Sequence, residues 1–146
     1  MTACWATFTF DFHEHLSLLS LGFVALHVLV LMLDTYEPFS LTDILVPFVS
    51  HYRPLWVGIG IIGMYLSLLV TVTFYIRNFI SMKAFRQIHY LSMAAYIGVT
   101  LHGLYSGTDS TLAFMQNLYA GTSLSIVFLC VYWLIMLRLR KREVSA

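Results

Sequence analysis

Charge is scarce in this sequence. Charged residues make up 10% of its 146 positions, against about 25% in a typical soluble domain, which excludes an ordinary water-soluble fold. The net charge of +1 says little by itself, and no nucleic-acid partner is expected. Cysteine is almost missing, with only Cys4 and Cys130. No CxxC or mixed Cys/His spacing suited to zinc occurs, and a disulfide between the two is not expected. No basic stretch opens the chain, and Asp11 and Glu14 precede the first long apolar run, so a cleavable signal peptide is not expected either. No G-x-G-x-x-G fingerprint follows a strand, and no soluble segment is long enough for a flavin or nicotinamide domain. The chain is therefore not expected to collect hydride by itself.

Apolar residues are abundant. They supply 60% of the chain, and the mean hydropathy is +0.82. Length points to a single domain over residues 1–146. The expected fold class is all-α: an integral membrane bundle of four transmembrane helices, with a short interfacial segment between the first and second. The spans are expected at about 12–33, 55–76, 84–105 and 112–137. A hydrocarbon core about 30 Å thick needs about 20 apolar residues to cross as a helix. Gly58, Gly60 and Gly63 give the second span a small-residue surface for close helix approach. The third span is the least apolar, as suits a helix buried against a cofactor. Residues 41–48 are too short and too flanked by proline to cross, and read as an interfacial helix or re-entrant turn. Residues 106–111 read as a tight turn.

Charge placement sets the orientation. Arg77, Lys83 and Arg86 lie between the second and third spans, and Arg138, Arg140, Lys141 and Arg142 follow the fourth. The opposite loops hold Asp34, Glu37, Asp43 and Asp109, with Arg53 as their one permanent cation. The positive-inside rule places both termini in the cytoplasm, and the chain is expected in a bacterial cytoplasmic membrane.

Histidine carries the chemistry. His13 and His27 are fourteen residues apart in the first span, and His89 and His102 thirteen apart in the third. At 1.5 Å per residue, each pair extends roughly 20 Å along a helix. The two helices run in the same direction, so His13 and His89 share one level and His27 and His102 another. Polar groups in a membrane interior are costly and usually functional. Two neutral imidazoles at each of two levels suit bis-histidine haem. Histidines of this kind also occur as interfacial or hydrogen-bonded residues without metal. On an ideal helix fourteen residues return to within about 40° of the starting face, whereas thirteen leave His102 about 140° from His89. Tilt, a distortion near Gly98 or rotated rings are the available remedies. His15 is a less favoured inner ligand than His13. His51 lies in the outer loop and reads as interfacial. Arg86, one turn before His89, is placed to pair with a propionate. Arg53 is placed to serve an outer haem or to bridge to Asp34 or Asp109. Phe23, Tyr90, Tyr96 and Tyr105 are candidates to pack on a macrocycle.

Two stretches, HEHLSLLSLGFVALHVLVLMLD and FRQIHYLSMAAYIGVTLHGLYSGTDS, together resemble the ferric reductase-like transmembrane domain family. The intervening LVPFVSHYRPLWVGIG is similar to its bacterial members. The resemblance implies a b-type cytochrome with two haems b, and His13, His27, His89 and His102 as axial ligands. It also implies a separate electron donor (a flavin reductase, a quinol or another membrane subunit) and an outer acceptor. The chain departs from the family pattern in two respects. It shows four spans where members commonly have five or six, and Glu14 where a basic residue often follows the first ligand. Two other functions compete: a structural or assembly subunit of a larger membrane complex with one haem or none, and, more weakly, a transporter or channel.

Overall fold

The computed structural model describes the backbone of residues 2–145 and the side chains of residues 11–139. It is helical throughout, with no strand among the described residues. The helices are α1 (Thr2–Leu33), α2 (Leu41–Leu45), α3 (Pro54–Tyr75), α4 (Met82–His89), α5 (Leu91–Ser106) and α6 (Ala113–Ser145), with a 3-10 turn at Arg77–Phe79. The chain divides into two compact units, Met1–Ser106 and Gly107–Ala146. Among the described residues, three segments are long and apolar enough to cross a membrane: Asp11–Leu33, Pro54–Tyr75 and Ala113–Leu139.

Within the first unit, α5 packs on α3 more extensively than any other pair of elements. Glycine permits this. A Cβ at Gly63 would lie 2.8 Å from Val99 Cγ2, and on the side of α3 that meets the preceding connection a Cβ at Gly58 would collide with the ring of Phe48. Val57, Ile61 and Ala95 are buried. Elsewhere large apolar side chains are bare, among them Phe23 and Leu29 on α1. Lipid tails are as apolar as leucine, so such a surface has no need of protein cover in a bilayer. Along α1, Glu14, Ser17, Leu21, Val24, Val28 and Leu31 form a half-buried stripe with alternating steps of three and four, the spacing of one helix face. The helix begins ten residues before the start expected from hydropathy, although its apolar part begins at Asp11.

The segment 84–105, expected as one helix, is two. α4 ends at His89, and α5 begins at Leu91. The Tyr90 N–H still reaches the Arg86 carbonyl at 3.2 Å, but the Met93 N–H bonds back to the Tyr90 carbonyl, also at 3.2 Å, an i+3 bond that tightens the turn. Neither part reaches the length needed to span alone. α4 is amphipathic: Ala84, Phe85, Ile88 and His89 are half-buried, while Lys83, Arg86 and Gln87 are exposed. Ser81 caps it by accepting from the Ala84 N–H, the bond an N-cap supplies to an orphan donor.

The connection from α1 to α3 is ordered by its own polar groups. Ser40 and Asp43 form a capping box at α2. His51 Nε2 lies 2.9 Å from Glu37 Oε1, and its Nδ1 3.7 Å from Asp43 Oδ1. Phe39 meets the rings of His51 and Tyr52. The Tyr65 hydroxyl donates to the Leu45 carbonyl at 2.6 Å, and Tyr52 donates to the Ser106 carbonyl at 3.1 Å. Phe48 and Arg53 both take positive φ, 67° and 40°, the region that side chains with a Cβ rarely enter. Pro54 then opens α3 at its first turn, where a missing N–H costs nothing.

In the second unit, residues 107–112 form the turn expected there, with the Leu112 N–H on the Asp109 carbonyl at 3.0 Å. α6 continues past the apolar stretch through the basic residues that follow it. Cys130 is a free thiol. The side chains of Cys4, Arg140, Lys141 and Arg142 lie outside the described residues.

Candidate functional site: two imidazole pairs between α1 and α4–α5

The four membrane histidines meet in two pairs. His13 faces His89 with ring centroids 6.2 Å apart and planes at 71°. His27 faces His102 at 6.3 Å and 75°. α1 is continuous, so fourteen residues separate the two levels by about 21 Å. Between His89 and His102 the helix is interrupted at Tyr90, where α4 stops and α5 starts, and both imidazoles nevertheless face α1.

The separations suit a metal between the rings. Two bonds of about 2 Å, each reaching a ring nitrogen about 1 Å from its ring centre, set coaxial imidazole centroids about 6 Å apart. Two planes that share the axis through the metal are free to be nearly perpendicular. Among the described residues, no group of three or more His, Cys, Asp or Glu side chains gathers to hold a metal, so a site built by protein alone is not offered. A porphyrin brings four nitrogens of its own and needs only two imidazoles. The donor set fits haem.

The pair nearer the 34–53 connection is the better ordered. His102 Nδ1 lies 3.0 Å from the Trp56 carbonyl of α3. A carbonyl only accepts, so Nδ1 carries the proton and Nε2 keeps its lone pair, the tautomer a metal ligand needs. Trp56 stacks on Tyr105 at 4.1 Å and 16°. The Arg53 guanidinium donates to the Tyr105 carbonyl and lies 5.4 Å from the Tyr52 ring. It does not bridge to Asp34, whose carboxylate instead accepts from the Tyr36 N–H at 2.8 Å. Arg53 thus stands at the end of α5, three residues beyond His102.

The other pair sits beside a cleft lined by His13, Glu14, Ser17, Thr71, Phe74 and His89. α3 supplies its back wall. Glu14 accepts from the Tyr75 hydroxyl at 3.1 Å, which ties α1 to the end of α3. His89 stacks on Phe85 at 5.6 Å, and its Nδ1 is buried with no hydrogen-bond partner. An unsatisfied buried polar atom costs about 1–3 kcal/mol, so a group held in the cleft would give this imidazole a physical reason to be there. Arg86 is exposed one turn before His89 and makes no ion pair among the described residues.

His15 is used otherwise: its Nδ1 lies 2.6 Å from the Asp11 carbonyl of its own helix. His51 is held by the two carboxylates of the connection. Of the aromatic candidates, Tyr105 stacks on Trp56, and Phe23 and Tyr90 are largely exposed. The contribution of the Trp56 carbonyl escaped the sequence, because a backbone acceptor carries no residue-type signal. No protein-family model matches the chain, and comparison with curated proteins and with solved structures finds no match.

Proposed function

We propose that the chain is a di-haem b-type membrane cytochrome of four spans, with α4 and α5 together forming the third. The observation that carries this reading is the pair of imidazole couples, with ring centroids 6.2 and 6.3 Å apart, at two levels along α1. His13 and His89 would hold the inner haem and His27 and His102 the outer. When bound, each haem supplies a one-electron centre. With an imidazole of this chain on each side of it, a bound haem would supply electron exchange and no substrate site. Trp56 fixes the outer imidazole through its carbonyl. Arg86 and Arg53 place one cation at each end, where propionates would be met by charge-assisted bonds.

The positive-inside rule supports the cytoplasmic placement of both termini in a bacterial membrane. Electrons would come from a separate flavin reductase, quinol or membrane subunit and leave to an outer acceptor. A pyridine haemochrome assay on the purified, detergent-solubilised protein tests the reading. About two haems b per chain supports it. None supports the assembly-subunit reading.

A further inference from the structure

The inference below rests on the haem reading above and concerns a residue with no side chain. We propose that Gly60 is a positioning residue for the outer haem, because its bare face lets the Trp56 carbonyl hold His102 in ligand orientation. Gly60 is four residues after Trp56, so it lies on the same face one turn along. The Trp56 carbonyl points along the helix toward residue 60, and a side chain there stands beside it. With glycine the carbonyl's second lone pair is open, and His102 takes it at 3.0 Å. A Cβ at position 60 would fall 2.5 Å from His102 Nδ1 and 2.6 Å from its Cγ. The ring and the methyl cannot share that space.

The three glycines of α3 are therefore not equivalent. Gly63 makes room for Val99, and Gly58 for Phe48. Gly60 alone makes room for an imidazole that faces another imidazole. An imidazole on a flexible side chain gives way cheaply by rotating. An alanine at 60 is thus expected to spare the fold, since alanine is otherwise the better helix former, but to break the Nδ1 bond and swing Nε2 away from His27.

Electron paramagnetic resonance of the purified protein tests this. The two low-spin ferric signals are assigned with His102→Ala for the outer haem and His89→Ala for the inner. Gly60→Ala is expected to lower outer-haem affinity about tenfold or more, the usual effect of losing a partner that orients a ligand. The remaining outer signal should have shifted g values, with the inner signal unchanged. Gly63→Ala, one turn on, is expected to keep both signals. An outer signal of wild-type occupancy and g values in Gly60→Ala overturns the inference, as does an equal loss in Gly63→Ala. A wild-type preparation with no b-type band overturns the underlying reading, and is recognised before any substitution is made.

Discussion

One alanine inserted into α1 between Ser20 and Leu21 separates the two levels of the site. An inserted residue rotates one half of a helix against the other by about 100° and shifts it by about 1.5 Å. A side-chain tip about 5–6 Å from the helix axis then moves by about 8 Å. That exceeds the 6.2 and 6.3 Å gaps between the imidazoles, so no side-chain rotation restores the displaced pair. α1 is held by its half-buried stripe on both sides of the insertion, Glu14 and Ser17 before it and Val24 and Val28 after. Whichever half keeps its register keeps its imidazole pair. The insertion is therefore expected to reduce haem from about two per chain to about one and to remove one low-spin signal. The same insertion between Thr108 and Asp109, in the turn before α6, should leave both. Haem is counted by pyridine haemochrome, with circular dichroism to establish that helix content is unchanged. An α1 insertion that keeps two haems with unaltered signals would falsify the geometry on which the site rests.

Single substitutions extend the test. His102→Ala is expected to remove one b-type absorption band, whereas His51→Ala and His15→Ala leave the spectrum intact; equal losses would refute the ligand choice. Gly58→Ala should lower the apparent melting temperature in detergent, because its Cβ meets both the ring and the backbone nitrogen of Phe48 and overpacking costs about 1–3 kcal/mol. Gly22→Ala, with nothing within 4 Å, should be neutral or slightly stabilising, and the reverse order would contradict the packing of the 34–53 connection against α3. The Asp43 carboxyl is held below its ordinary range, first by the Ser40 hydroxyl and N–H and to a smaller degree by His51. A depressed carboxylate stabilises the folded form above its unfolded pKa and loses that contribution as pH falls through the folded value. The α2 cap should therefore persist at neutral pH and weaken only in acid. Carbon-detected NMR titration should give a higher Asp43 midpoint in Ser40→Ala, and an unchanged midpoint counts against the cap.

Much of this was legible in the residues, and the remainder was not for definite reasons. Runs such as LSLLSLGFVALHVLVLML announce α1 because a lipid-facing helix must be apolar over its whole length, and Pro54 marks where α3 begins. The short apolar run 41–48 reads as an interfacial helix, and α2 forms within it. The matched intervals between histidines indicate which rings share a level, because rise per residue is nearly constant along a helix. Helix rotation is less robust. No proline or glycine stands at Tyr90 to announce the junction between α4 and α5, and an ideal-helix phase does not foresee that His89 and His102 both face α1. Arg53 shows the same limit. Its charge suggests a haem or a carboxylate as partner, but the guanidinium donates to the Tyr105 carbonyl, a backbone acceptor that residue type does not reveal. Gly60 reads in sequence only as a small residue on a helix face. Its particular neighbour is set by tertiary packing.

The most direct test of the two-level site is the distance between its metal centres. Pulsed electron paramagnetic resonance on the oxidised, haem-loaded protein should give one iron–iron distance of about 20 Å, the axial separation of fourteen helical residues. A single haem per chain, or two centres much closer than that, would contradict the pairing of His13 with His89 and of His27 with His102 as haem ligands.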